Sequence, residues 1–187
     1  MQRLLIIICC SIFATTAFNQ TCEPTVAYNF DGNSTDVSGN DNDAVLFSDA
    51  TTALDYLEIG YNDDDRAEIP VTALNGVTDF TVTVEFYLND LNLTGLAPTN
   101  TIIAGASSTN EGEFAISYQA DIEAVVVALK GSGDVFPVSL AAETWYCLTV
   151  TREGSMVTVF IDGSEINTID MTSSVLSIEF LEIGQEL

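Results

Sequence analysis

The sequence predicts an all-β protein, a two-sheet antiparallel β-sandwich of the jelly-roll kind. Three observations predict it. Short runs rich in β-branched and aromatic residues recur along the chain, broken by turn signals every 8–12 residues or so. Beyond the N-terminal run, nothing longer than one turn has helical periodicity. Residues 79–88 alternate strictly, with Phe80, Val82, Val84, Phe86 and Leu88 on one side and Thr81, Thr83, Glu85 and Tyr87 on the other. That pattern belongs to a strand with one face on a core and one face less buried.

Residues 145–163 form the most legible stretch. Trp145 to Arg152 reads as a half-buried strand and Arg152-Glu153-Gly154-Ser155 as a turn. Met156 to Ile161 returns as a second strand, and Asp162-Gly163 fits a type I′ hairpin turn leading into a third strand from Ser164 to Thr168. This meander predicts the centre of an antiparallel sheet that the rest of the chain covers.

The chain opens with Met1-Gln2-Arg3, an apolar run from Leu4 to Ala14, and the small residues Thr15-Thr16-Ala17. That order is the order of a secretory signal peptide, residues 1–17, with cleavage after Ala17. The apolar run is shorter than the roughly 20 residues a membrane-spanning helix needs, so no membrane insertion is expected. Residues 18–23 are a lead, and 24–187 the folded domain. Cys9 and Cys10 leave with the leader. Cys22 and Cys147 remain, and two thiols in an oxidising compartment predict a disulfide.

Within the domain, Val26 to Phe30, Ala44 to Phe47 and Tyr56 to Ile59 read as short strands. Val71 to Gly76 fits one helical turn. Thr101 to Ala104, Glu113 to Tyr118, Ile122 to Leu129 and Leu176 to Ile183 are further strands, and Gly131-Ser132-Gly133-Asp134 reads as a break.

Charge narrows the function. Four basic residues face 28 acidic ones, a net charge of −24, and there is no histidine. Nucleic acid is excluded as a partner, because phosphate binding needs clustered Lys and Arg. Anionic membrane surfaces are excluded for the same reason, and zinc sites lose their commonest ligand. Acidity also serves solubility, or binding of a cation through oxygen ligands.

The loop from Asp31 to Asp43 is the candidate metal site. Asp31, Asp36, Asn40, Asp41 and Asp43 offer hard oxygen ligands of the kind Ca2+ takes. The alternative reading is that Asp36 and Asn40 form Asx-turns that shape the loop. Asn62 to Asp65 is a second acidic turn with the same two readings. Trp145 reads as a core residue at the start of a central strand, with sugar stacking as the alternative. Tyr61 and Tyr87 are the candidates for lining a ligand surface.

These elements resemble the laminin-G-like, concanavalin A-like lectin/glucanase superfamily. Tyr28-Asn29-Phe30-Asp31-Gly32-Asn33 and Asp36-Val37-Ser38-Gly39-Asn40 match its opening motifs. Phe80-Thr81-Val82-Thr83-Val84 matches its middle strand, and Trp145-Tyr146, Ile161-Asp162-Gly163 and Glu182-Ile183-Gly184 match its late motifs. The resemblance covers about residues 24 to 187 and implies a concanavalin A-like jelly roll. It also implies a structural calcium near a sheet edge, and a closing C-terminal strand beside the first one. The chain stops at Leu187 before any such strand, so the sequence reads as C-terminally incomplete, with further domains expected beyond it.

The function implied is a secreted, non-catalytic module that binds a glycan or an extracellular protein. The family's hydrolases carry a Glu-x-Asp-x-x-Glu strand. Here Glu179 and Glu182 come nearest, and their spacing puts them on opposite faces of a strand. A glycoside hydrolase or its accessory domain, and a structural spacer in a larger adhesin, are the alternatives.

Overall fold

A computed structural model describes residues 2–9, 23–53, 56–60, 64–89, 91, 99–108, 110–172 and 175–184. Among the described residues fifteen strands follow one another: β1 Gln2–Cys9, β2 Val26–Tyr28, β3 Val45–Phe47, β4 Thr51–Ala53, β5 Tyr56–Ile59, β6 Arg66–Glu68, β7 Phe80–Leu88, β8 Thr99–Ser107, β9 Asn110–Gln119, β10 Ala124–Leu129, β11 Ser132–Pro137, β12 Trp145–Glu153, β13 Met156–Ile161, β14 Ser164–Asp170 and β15 Phe180–Ile183. The expected helical turn is a 3-10 turn at Val71–Ala73, and among the described residues no helix is long and apolar enough to cross a membrane.

The strands form two antiparallel sheets. One has eight strands in the order β14-β13-β12-β7-β1-β5-β4, with β2 also paired to β1. The other has seven, in the order β11-β10-β9-β8-β15-β6-β3. The predicted all-β sandwich is therefore the observed architecture. Phe80, Val82, Val84, Phe86 and Leu88 all point into the shared interior, where each is buried. Against them lie Phe114, Ile116 and Tyr118 from β9 and Val125, Val127 and Leu129 from β10. Phe80 of one sheet meets Phe114 of the other edge to face at 5.5 Å, a geometry aromatic pairs favour. Burying such side chains stabilises the fold by about 1.5–3 kcal/mol each.

The meander forms as read, but it lies at one end of its sheet, with β14 as the edge strand, rather than at the centre. Leu148 pairs with Ile161 and Arg152 with Val157, so Leu148, Val150, Val157, Val159 and Ile161 share the inner face. The Asp162-Gly163 turn has positive φ at both residues (51° and 75°), as a type I′ turn requires. The Asp162 carboxylate accepts the Cys147 N–H at 2.8 Å, and the Asp162 N–H donates to the Cys147 carbonyl.

Several boundaries differ from the sequence reading. Gly131-Ser132-Gly133-Asp134 is not a break. Lys130 and Gly131 take positive φ in a two-residue turn, and β11 starts at Ser132. Only Phe180–Ile183 of the last expected strand pairs, because Leu176 and Ile178 are instead buried in the core. Thr51–Ala53 adds a three-residue strand too short to show a period.

Gln2–Cys9, which holds the first part of the N-terminal apolar run, has a place in this fold. β1 pairs along its whole length with β7, from Gln2 opposite Leu88 to Cys9 opposite Thr81. Its other side is shared: residues 2–4 pair with β5 and residues 6–8 with β2. β1 thus lies in the interior of the sheet, beside the first strand of the domain.

Candidate functional site

The outward face of the eight-stranded sheet follows from the same alternation. If Val82, Val84 and Phe86 point inward, then Thr81, Thr83, Glu85 and Tyr87 point outward. Register carries the face into β12: Trp145 lies opposite Tyr87, Cys147 opposite Glu85, Thr149 opposite Thr83 and Thr151 opposite Thr81. The middle of the face is polar. Thr83 and Thr149 hydroxyls lie 3.2 Å apart, and those of Thr158 and Thr168 lie 2.8 Å apart.

One corner of this face is aromatic. The Trp145 ring is 5.5 Å from Tyr87, tilted by 51°, and 6.5 Å from Tyr56, at 64°. Trp145 is 44% exposed, and both tyrosines are half-buried. The expectation that Trp145 belongs to the core is overturned. Its neighbour Tyr146 takes the inward position, 6.0 Å from Phe86, with its hydroxyl accepting the Ala141 N–H. Counting alternation back from Leu148 and Val150 gives that parity. Tyr87 was legible as a ligand candidate; Tyr56 was not, because only the folding of the chain brings it to Trp145. Tyr61 lies outside the described residues.

The Asp31–Asp43 loop is organised around Asp36, which is buried. Its carboxylate accepts the N–H groups of Ala27, Ser38 and Asn42 and the Ser38 hydroxyl, at 2.7–3.1 Å. Asp43 accepts the Asp36 N–H at 2.8 Å. The Asn40 amide donates to the Pro24 and Thr25 carbonyls and the Ser38 hydroxyl. Burial alone would raise the Asp36 pKa, but these donors outweigh it and hold the group below its ordinary value. Asp31 and Asp41 are exposed. This donor set does not fit Ca2+: the lone pairs of Asp36 already face N–H and O–H groups. Among the described residues no three carboxylate, thiol or imidazole groups converge on one point. Asp36 makes the Asx-turn of the alternative reading with the Ser38 N–H, whereas the Asn40 side chain ties the loop to the Pro24 and Thr25 carbonyls as a donor.

Several other charged groups have structural partners. Glu182 is buried with its Oε1 3.0 Å from Arg66 Nε; Arg66 also pairs with Glu68 at 3.1 Å and lies over the Phe47 ring. Glu179 accepts the N–H and hydroxyl of Ser108. The two glutamates that come nearest to a catalytic pair therefore have separate partners. Lys130 pairs with buried Glu113 at 3.0 Å. Asp65 is buried and accepts the Asp49 N–H, whereas Asn62 and Asp63 lie outside the described residues. So does Cys22; among the described residues Cys147 has no disulfide partner. Burial and the charges of Glu85 and Asp162 push the Cys147 thiol up, which disfavours its reactive thiolate.

The model of one family, the laminin-G form of the concanavalin A-like lectin/glucanases superfamily, matches residues 60–186. No curated protein matches the sequence significantly. Among solved structures, domain 4 of AbnA, a GH43 extracellular arabinanase from Geobacillus stearothermophilus in complex with arabinotriose, is similar at a TM-score of 0.61 and 14% identity. That likeness covers 87% of this chain and 83% of the other. Botulinum neurotoxin type C, described through its interaction with two ganglioside molecules, is similar at a TM-score of 0.60 and 15% identity over 82% of this chain. The binding domain of botulinum neurotoxin DC in complex with SialylT is similar at 0.61 and 14% over 81%. This chain spans 40% of the length of each of the two botulinum chains. Identities this low speak for the fold.

Proposed function

The chain belongs to the concanavalin A-like lectin/glucanases superfamily, and from that membership and its aromatic corner we propose that it is a secreted, non-catalytic module that binds a glycan. One observation carries the reading: Trp145 stands exposed on a sheet face with Tyr87 and Tyr56 around it. An exposed indole is costly in water and suits the apolar face of a pyranose or furanose ring. Glu85, two residues from Tyr87 on the same outward face, offers a partner for sugar hydroxyls. Likeness in fold to domains described with arabinotriose, gangliosides and SialylT supports the same reading. Secretion rests on the leader-like residues 1–17.

A glycan array probed with the protein tests this. Wild type is expected to bind a discrete set of glycans. Trp145→Ala should weaken that binding by roughly tenfold or more, about 1.4 kcal/mol, with little change in melting temperature, because the side chain lies outside the core. Equal binding by wild type and Trp145→Ala would remove the site. Binding to an extracellular protein and to no glycan would replace the reading by an adhesion module.

A further inference from the structure

We infer that Asn33 is an acceptor for N-linked glycosylation, so that the module carries a sugar chain of its own on the loop from Asp31 to Asp43. This rests on the secretion part of the reading above and is independent of glycan binding at Trp145. Transfer of an oligosaccharide to an asparagine amide needs Asn-x-Ser/Thr, with x other than proline, on a surface from which the sugar can project. Asn33-Ser34-Thr35 has that order. Among the described residues Asn33 is the only asparagine with a serine or threonine two positions on. Asn19-Gln20-Thr21 and Asn92-Leu93-Thr94 share the pattern and lie outside the described residues. So short a pattern arises often by chance; local structure decides whether it can serve.

Here the tripeptide is shaped and left open. The Asn33 side-chain oxygen accepts the Thr35 N–H at 2.9 Å, which closes an Asx-turn across the motif. The Asn33 Nδ2 donates to the Asp31 carbonyl, also at 2.9 Å. Each bond spans two residues, so an emerging chain can form both before the sandwich exists. Ser34 pins the middle of the motif: its hydroxyl donates to the Ala44 carbonyl at 2.7 Å, and its carbonyl accepts the Ala44 N–H. Asn33 and Thr35 on either side are exposed. A Cβ added at the neighbouring Gly32 would meet no atom within 4 Å, so a first sugar has room. Asn40 of the same loop is the contrast. Its amide is tied to the Pro24 and Thr25 carbonyls, and an asparagine stands two positions on.

The reaction leaves the turn its bonds. The donor is an oligosaccharide on a polyprenyl diphosphate, brought by the transferase of the secretory compartment. Nδ2 attacks the anomeric carbon of the first sugar. A C–N bond forms, the C–O bond to the diphosphate breaks, and the diphosphate leaves with the electron pair. Nδ2 gives up one of its two hydrogens as a proton. The remaining N–H still serves the Asp31 carbonyl, and the side-chain oxygen still accepts from Thr35.

Expression of the full chain in insect cells, which supply both transferase and lipid-linked donor, tests this. Secreted protein is digested and mapped by mass spectrometry, with and without peptide N-glycosidase F in heavy-oxygen water, so that each sequon is read on its own peptide. The peptide containing Asn33 is expected to carry N-acetylhexosamine and hexose, and the glycosidase should leave a heavy-oxygen aspartate at that position. Thr35→Ala should abolish the modification and Thr35→Ser preserve it. Thr35→Ala keeps the backbone N–H of the Asx-turn, so its melting temperature should match that of deglycosylated wild type. A bare Asn33 in secreted wild type would overturn the inference and leave secretion standing, whatever Asn19 and Asn92 carry. Sugar on that peptide that resists the glycosidase and survives Thr35→Ala would be linked through another atom and would equally overturn it. Wild type held inside the cell, with residues 1–17 attached and Asn33 bare, would overturn both the inference and the secretion reading.

Discussion

Asp36 shows how a carboxylate can be claimed by the backbone instead of by a cation. Three N–H groups and one hydroxyl point at it, and the Ala27 N–H it accepts belongs to a buried strand residue. Asp36→Ala would leave those donors unsatisfied and should cost roughly 2–3 kcal/mol by denaturant titration. The sign of its pH dependence follows from its lowered pKa. A carboxyl that titrates lower when folded contributes stability that is present above its unfolded pKa, about 3.9. That contribution is lost as pH falls through the folded value. The acid limb of the stability profile should therefore be shallower in Asp36→Asn than in wild type, and identical limbs would show that the hydrogen bonds contribute nothing. Trp145 is the opposite case, a residue whose place in the strand, rather than its hydrophobicity, sets its exposure.

Among the elements, β1 is the one with two readings. The same apolar composition serves a leader's central region and a strand buried in the middle of a sheet. Its interior position, paired with β7 on one side and with β5 and β2 on the other, is beside the first strand, where the family resemblance puts a closing strand. If residues 1–17 are removed on secretion, as the sequence reading expects, β7 keeps β12 and loses the ladder on its other edge. N-terminal sequencing of secreted protein is then expected to start at Phe18. Hydrogen exchange should be faster at the β7 amides facing the vacated position than at those bonded to β12. Intact Gln2–Cys9 in the mature protein, with both edges of β7 equally protected, would make β1 a permanent strand.

For the whole molecule the governing quantity is charge. At −24 the folded chain repels itself, and compaction works against that repulsion. Sodium chloride should raise the melting temperature by screening. Calcium at matched ionic strength should raise it no further, since the Asp36 carboxylate is taken up by N–H and O–H groups and Asp43 accepts the Asp36 N–H. A rise specific to calcium, abolished by Asp36→Ala, would show that the loop rearranges around the ion.

Taken alone, the sequence determined the sandwich, the inward row of β7, the β12–β13–β14 meander and its Asp162-Gly163 turn, because each is written in period-2 alternation or in turn chemistry local to a few residues. Alternation even held the parity of Trp145, though a preference for burying tryptophan obscured it. What tertiary structure alone decided was every relation between distant segments. It brought Tyr56 to Trp145 across two intervening strands. It turned the Asp36 and Asp43 carboxylates toward backbone donors, drew Leu176 and Ile178 off the last strand into the core, and gave Gln2–Cys9 a slot between β7 and β5. Local patterns record which way a side chain points; which partner waits there depends on contacts made only when the chain closes on itself.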